Sequence, residues 1–213
     1  MPAATTGPLH SQYLGEVANM LEDTPSLPPG HLRTIAFSEI MNQQILKLTG
    51  ATLSPPAVLL NACADAYFQH IFHRFPILDR TDLYSGKPSV ALQQAICMMG
   101  QMLRHPKGPD FLSENEKYYY RAKTLIHANH EQEPITVLKV ICLLSTRNII
   151  GPVVLTADCA WHWLGMGIRL LHQIGLHREA TFTGLAKAGT ARRIAWCFFV
   201  RVFPIEFLLH SPN

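Results

Sequence analysis

The chain has 213 residues, of which 48% are hydrophobic and only 15% are charged, against a usual charged share of about 25%. This length corresponds to one domain or to one domain with a tail, and the apolar share is enough to build a core. The formal charge of +3 comes from basic residues that are scattered along the sequence. Because DNA and RNA interfaces need a basic stripe or cluster, the composition argues against direct nucleic-acid binding by this chain.

The cysteines and the N-terminus indicate the compartment. Residues 1–12 contain neither the basic segment nor the apolar segment of a secretory signal, so we expect a protein that is not secreted. The five cysteines form no CxxC pair, which argues against a zinc module and against a disulfide framework. Their apolar neighbours indicate small hydrophobic core residues instead.

The first half of the chain predicts a lead-in followed by helices. Residues 1–34 contain five prolines and little periodicity, which predicts a mobile segment. We expect one short helix at residues 35–48, so that residues 1–54 form the lead-in and residues 55–213 form the domain. A helix is predicted over residues 57–72, and the next begins after Ser89 as its cap and ends before Pro106 and Gly108.

Capping signals place three of the later helices. Ser113 and Glu116 fit a capping box, which predicts a helix to about Asn129. Pro134 suits a first helical turn, and the apolar stripe that follows predicts a helix through Ile149 that Gly151 and Pro152 end. Thr156 or Asp158 is the predicted cap of a helix that closes at Gly175, with Leu176 folding back as its apolar contact.

The last predicted helix runs from about Ala188 to Leu209. We expect a kink or break at Pro204, which removes a backbone donor. Its apolar stretch, residues 194–209, contains Arg201 and Glu206 and is too short for a membrane span, so it predicts a buried helix. Since no alternating run long enough for a strand occurs, the predicted class is all-α, an irregular multi-helix domain of about five to seven helices.

The sequence offers few candidates for catalysis. His70 with His73, and His127 with His130, have the i, i+3 spacing that places two imidazoles on one helix face, but neither pair has a third ligand or the HExxH pattern. No GxSxG turn occurs. The glycines at 165 and 167 lie inside a predicted helix, where we expect them to allow close helix packing. We therefore expect no enzyme, no metal site and no cofactor.

Three segments carry a resemblance to a known family. Residues 66–80 read AYFQHIFHRFPILDR, residues 165–179 read GMGIRLLHQIGLHRE, and residues 192–201 read RRIAWCFFVR. Their order and spacing resemble the middle homology region of fungal zinc binuclear-cluster transcription factors, and the similarity extends from about residue 55 to residue 212. The segment ending in GLHR is the most specific of the three.

The resemblance implies an all-α regulatory domain of a nuclear transcription regulator, of the kind tied to a metabolic gene cluster. Such a domain restrains activity and responds to a small effector or to a protein partner, which here could be a full-length relative or a second copy. The family's six-cysteine DNA-binding head does not precede Tyr67, and Val202-Phe203 replaces the family's aspartate-arginine pair. We therefore expect a domain that is truncated at its C-terminus, lacks the head and does not bind DNA by itself.

The family motifs supply the candidate residues, each with a structural role or a role in an effector pocket. They are Tyr67, Phe68, Phe75, Pro76, Asp79, Trp161, Arg169, Gly175, Leu176, His177, Arg178, Arg192, Arg193 and Trp196.

Each group of candidates has a structural alternative. The three tryptophans Trp161, Trp163 and Trp196 are candidates to line an effector pocket, and the alternative is an ordinary core. The alternative for the two arginines at 192 and 193 is a solvated helix start or pairing with nearby carboxylates and carbonyls. The Asp79-Arg80 pair could bridge the turn after Pro76, and the Arg178-Glu179 pair could solvate the loop after Gly175.

The C-terminal segment concentrates large apolar side chains that cannot all face one core, because a helix spreads them over more than one face. They are Trp196, Phe198, Phe199, Phe203, Phe207 and Leu208. We therefore expect self-association or contact with a partner. Three functions stay open: a transcription-regulator-like protein, a small-effector-binding helical module and a metal-dependent helical enzyme.

Overall fold

The computed structural model describes residues 29–84, 86–103, 111–147, 156, 158–183, 185 and 187–209, with side chains except at residues 29–36, 111–113 and 202–209. All regular structure in these residues is helical, which confirms the all-α class. The helices are α1 (Pro29–Thr49), α2 (Ala57–Ala66), α3 (Thr81–Tyr84), α4 (Val90–Leu103), α5 (Phe111–His127), α6 (Pro134–Leu144), α7 (Ala160–Gln173), α8 (Glu179–Phe182) and α9 (Ala188–Leu209). A π-helical turn, Tyr67–Ile71, continues α2.

The core belongs to the second of two units into which the chain divides, Gln44–Asn213. Helix α4 lies at its centre, where it is buried along ten consecutive residues and packs against α2, α5 and α6. Gly100 allows the approach of α2, because a Cβ atom there would overlap Cys63. Helix α7 packs on α6, and α9 lies across both. Among the described residues, no helix is both long enough and apolar enough to cross a membrane.

Several predicted helix ends are confirmed. The Ser89 hydroxyl accepts a hydrogen bond from the Leu92 amide at 3.2 Å and caps α4. Pro134 opens α6, and the Glu133 carboxylate before it accepts hydrogen bonds from two amides of the first turn. Gly175 has a φ of 77°, and the Leu176 amide after it bonds to the Leu171 carbonyl at 3.0 Å, as a glycine C-terminal cap requires.

Two predicted caps are wrong because tertiary contacts decide those positions. Helix α5 begins at Phe111, so Ser113 lies inside the helix; its first turns are fixed on α4 by the buried Asn115 side chain, which donates to the Met98 carbonyl at 2.7 Å. Helix α7 follows Cys159, which makes no side-chain cap. Asp158 instead accepts a hydrogen bond from the Tyr119 hydroxyl and pairs with Lys123.

The last helix lacks the predicted break at Pro204 and exposes part of its apolar surface. Helix α9 runs through Pro204 without a break. The proline leaves the Val200 carbonyl without its helical donor, and Val200 is exposed, so water can take the donor's place. The segment is also not a buried helix, since the side chains of Trp196 and Phe199 are 63% and 56% exposed.

Other predicted features have different outcomes. The four-residue helices α3 and α8 were not predicted, because so few residues show no periodicity. The lead-in before residue 29 and the predicted helix ends at Pro106, Gly108, Ile149, Gly151 and Pro152 lie outside the described residues.

Candidate functional site

The first and third motifs are joined by Arg193. Its Nε donates to the Pro76 carbonyl at 2.6 Å, and its Nη2 donates to the Asp79 carboxylate at 3.0 Å. The Thr190 hydroxyl donates to the other oxygen of Asp79 at 2.8 Å. These hydrogen bonds, with Arg193 as a fork, attach the turn after α2 to the first two turns of α9, which matches the structural interpretation of Asp79 and Arg193.

The aromatic residues of the first motif pack beneath the same turn and stabilise it from the core side. Tyr67 is fully buried, and its hydroxyl donates to the Phe75 carbonyl. Burial raises the pKa of Tyr67, so the hydroxyl keeps its proton and remains a donor. The Phe68 ring meets Tyr67 edge to face at 5.2 Å between centroids, and the Arg80 guanidinium lies 4.6 Å above it while pairing with Asp65 at 3.0 Å.

A buried ion pair beneath this turn was not predicted. The Lys139 side chain is 2% exposed, and its Nζ lies 2.7 Å from Asp82 Oδ2. The Lys187 ammonium and the Asp79 amide also donate hydrogen bonds to the Asp82 carboxylate. Burial raises the pKa of Asp82, but these hydrogen bonds outweigh it and lower the pKa below its usual value. A single lysine inside the apolar stripe of α6 was the signal that could have indicated its burial, but not its partner.

The second and third motifs form the walls of a cavity of about 580 Å³. It lies between the end of α7, the loop after it, α8 and α9. The lining residues are Ile168, Leu171, His172, Leu176, His177, Glu179, Phe182, Arg192, Ala195, Trp196, Phe198 and Phe199. This volume lies within the range of about 300–1,000 Å³ that small-molecule sites occupy.

The inner wall of the cavity depends on close packing of α7 and α9. A Cβ atom at Gly167 would overlap the buried ring of Phe198, so the predicted packing role holds for this glycine. It does not hold for Gly165, where a Cβ atom would meet no atom within 4 Å. At the exposed side the rings of Trp196 and Phe199 meet edge to face at 5.5 Å. The cavity therefore has an aromatic wall that is buried at one end and solvated at the other.

An ion pair forms one polar part of the cavity. The Arg192 Nε donates to Glu179 Oε1 at 3.1 Å, and its Nη2 bonds to the same oxygen. The guanidinium also lies 5.0 Å from the centroid of the Phe182 ring. Glu179 thus pairs across the cavity instead of only solvating the loop after Gly175.

Two histidines form the other polar part. The rings of His172 and His177 are stacked at 4.5 Å between centroids, and the Arg178 Nε donates to His177 Nε2 at 3.0 Å. Lost hydration, the neighbouring His172 ring and the positive charge of Arg178 lower the pKa of His177. The neutral imidazole can therefore accept the hydrogen bond from Arg178 at neutral pH.

Only some of the predicted site residues line the cavity. Leu176, His177, Arg192 and Trp196 line it, whereas Trp161 and Trp163 do not. The Trp163 ring is buried, and its indole N–H donates to the Tyr119 hydroxyl at 2.9 Å. Trp161 and Arg169 are exposed.

Most lining residues that were not among the candidates lie within the second or third motif segment, about one helical turn from a candidate position. Ile168 and Leu171 in α7, and Phe199 in α9, are of this kind, so helical spacing was the signal for them. Phe182 lies in α8 and gave no such signal.

The histidine pairs have no metal-binding geometry around them. His70, His73, His127 and His130 are exposed. Within the part of the chain that the structure describes, no group of three or more His, Cys, Asp or Glu side chains could hold a metal ion.

Comparisons with known proteins give consistent results. The family model described as the fungal specific transcription factor domain matches residues 64–201. Cutinase transcription factor 1 beta and 1 alpha of Fusarium vanettenii are 25% and 26% identical over 90% and 94% of this chain. The acetamidase regulatory protein of Aspergillus fumigatus is 28% identical over 68% of it. The chain spans 24%, 25% and 20% of the length of these relatives. No solved structure matches.

Proposed function

Because this chain belongs to the fungal specific transcription factor domain family, we propose that it is the regulatory domain of a transcription regulator. The match confirms the family predicted from the three motifs. The relatives that it resembles are named as transcription factors and as a regulatory protein, which points to regulation of transcription and away from catalysis. We propose residues 55–213 as the extent of the domain and the nucleus as its location.

The observation that carries this proposal is the cavity between the second and third motifs. Two segments that identify the family also supply its walls, through Leu176, His177, Arg192 and Trp196. A regulatory domain that senses a metabolite needs a concave, mostly apolar site with a few polar groups at fixed positions. The cavity has this composition, with Arg192 and His177 as polar groups beside an aromatic wall.

The lining indicates the kind of effector. Trp196, Phe198 and Phe199 suit an aromatic or aliphatic body, because aromatic rings gain most from stacked and edge contacts. The guanidinium of Arg192 and the neutral imidazole of His177 can bind a polar group at the other end. We therefore propose a small molecule with an apolar body and one polar, hydrogen-bonding end.

Other partners are proposed for the exposed parts. The rings of Trp196 and Phe199 suit contact with a protein partner, either a second copy or a longer relative. The basic residues of the chain are scattered, so we assign DNA recognition to a protein segment other than this domain.

A reporter fusion tests the regulatory role. The chain is placed between a heterologous DNA-binding domain and an activation domain, and reporter output is compared with a fusion that carries a flexible linker of the same length. We expect lower output with the chain present, because the domain restrains the activator. Equal output from the two fusions at equal protein level would contradict the proposal.

A further inference from the structure

Two cysteines from different helices face each other in the core. Cys142 of α6 and Cys197 of α9 are separated by 55 positions in sequence, and their sulfur atoms lie 3.3 Å apart. A disulfide has a sulfur–sulfur distance of about 2.05 Å, so a small approach of the two side chains would allow the bond to form. Cys142 is fully buried, whereas Cys197 keeps 9% of its surface exposed. Cys197 is therefore the less buried residue of the pair.

Arg201 fixes the two helices at this point. One turn after Cys197, its Nη1 donates to the Cys142 carbonyl at 3.2 Å and its Nη2 to the Ser145 carbonyl at 2.7 Å. These bonds hold the end of α6 against α9, so the two sulfurs stay in contact. They also place a positive charge beside the cysteine pair.

The two thiols have different chemical characters. The hydrogen bond with Cys142 lowers the pKa of the Cys197 thiol, burial opposes this, and the positive charge of Arg201 adds to the lowering. The same sulfur–sulfur hydrogen bond and complete burial raise the pKa of Cys142. Since the thiolate is the reactive form, Cys197 is the thiol that an oxidant attacks, and Cys142 is placed to resolve the product.

The other pair of buried cysteines provides a contrast. The Cys63 thiol lies 3.8 Å from the Cys97 carbonyl oxygen. The contact with Cys63 and burial both raise the pKa of Cys97, and no positively charged group contributes to lowering it. The Cys97 thiol therefore keeps its proton at neutral pH, and in that form it reacts slowly.

We propose that Cys142 and Cys197 form a reversible oxidation site, in which hydrogen peroxide converts the pair to a disulfide that ties α9 to α6. The Cys197 sulfur attacks the peroxide, which yields a sulfenic acid and one water. The Cys142 sulfur then displaces the hydroxyl group from that sulfenic acid, which forms the S–S bond and releases a second water. Two thiols are thus oxidised as one peroxide is reduced to two waters, and a dithiol reductant reverses the change.

The disulfide would fix a part of the cavity wall. Trp196 and Phe198 flank Cys197 on α9, and both line the cavity. Oxidation would therefore hold the aromatic wall in one position, while the reduced pair leaves α9 held by packing and by the hydrogen bonds of Arg193 and Arg201. This inference goes beyond the proposed function and does not depend on it, since it concerns only the thiol chemistry of the chain.

Peptide mapping of the intact chain tests the site. The protein is treated with hydrogen peroxide, the remaining thiols are blocked with an alkylating reagent, and the digest is analysed by mass spectrometry. We expect one linked peptide pair that contains Cys142 and Cys197, lost when dithiothreitol is added before blocking. Recovery of both cysteines as separately alkylated peptides, or a Cys63–Cys97 linkage that forms first, would overturn the proposal.

Variants and a melting measurement provide the controls. Cys197→Ser should abolish the linked peptide, and Cys159→Ser, which changes a cysteine outside the pair, should leave it intact. The disulfide constrains the unfolded chain, so the oxidised wild-type protein should melt higher than the reduced protein by on the order of 5–10 °C. This comparison needs no variant to fold. An oxidised protein that melts no higher than the reduced one, or loss of the linked peptide in Cys159→Ser, would contradict the proposed bond between α6 and α9.

Discussion

Gly167 shows how a single missing side chain shapes the cavity. The Phe198 ring of α9 reaches the backbone of α7 there, and a methyl group at residue 167 would overlap it. Two positions earlier, a methyl group at Gly165 would meet no atom within 4 Å. Alanine at Gly165 changes only the helix propensity, whereas alanine at Gly167 also disturbs the packing of Phe198. Comparing the two variants therefore separates the two effects on stability.

We predict that Gly167→Ala lowers the free energy of unfolding by about 1–3 kcal/mol, because the buried Phe198 ring must shift. Gly165→Ala should raise it by up to about 1 kcal/mol, since alanine favours the helix over glycine. Urea unfolding of both variants measures these changes. Equal effects of the two substitutions would show that α7 and α9 do not pack as described.

Asp82 provides a second residue-scale prediction, in its dependence on pH. Its pKa is lowered in the folded protein, so its contribution to stability is present above the ordinary aspartate pKa of about 4 and is lost as the pH falls through the lower folded value. Asp82→Asn should cost about 3–5 kcal/mol at neutral pH, because it leaves the buried Lys139 without its charge partner.

Unfolding free energies at about pH 7 and about pH 3 test this prediction. The difference between Asp82→Asn and the wild type should shrink at the lower pH, where the wild-type carboxylate begins to take up a proton. The double variant Asp82→Asn with Lys139→Met should recover part of the loss, since no unpaired charge remains in the core. A pH-independent difference would contradict the lowered pKa of Asp82.

At the scale of elements, helices could be predicted where periodic apolar residues meet proline or glycine, as at Pro134 and Gly175. Caps could be predicted only where the side chain had no other partner. Ser89 caps α4, but Asp158 is used by Tyr119 and Lys123 in the tertiary structure. Distant partners of this kind, such as Asp82 for Lys139, are not visible in local sequence.

The fork of Arg193 supports a prediction about the attachment of α9. Arg193→Gln should lower the free energy of unfolding by about 1–2 kcal/mol, because it removes charge-assisted bonds to the Pro76 carbonyl and Asp79. The same change at Arg192 should cost less than about 1 kcal/mol, since its pair with Glu179 is exposed. Thermal and urea unfolding measure the stability of both variants. A larger loss of stability in Arg192→Gln than in Arg193→Gln would contradict the claim that Arg193 is the main attachment of α9.

For the whole molecule, the motifs predicted part of the candidate site and missed the rest. Leu176, His177, Arg192 and Trp196 lie in the motifs and line the cavity, but Phe182 comes from a short helix without periodicity. The sequence also could not distinguish the buried Trp163 from the exposed Trp161, because burial depends on which helix packs against that face. The cavity is therefore a property of the folded arrangement of α7, α8 and α9.

The most direct test of the central claim, that this cavity binds a small amphipathic molecule, is a fluorescence titration with anilinonaphthalene sulfonate, an aromatic anion. The wild type should bind one dye per chain in a saturable way. Ala195→Phe, which fills the cavity, should lose this binding, and Val58→Phe, which adds the same ring at an exposed position on α2, should keep it. Equal binding by both variants, each with a cooperative melt, would show that the dye lies elsewhere and would contradict the claim.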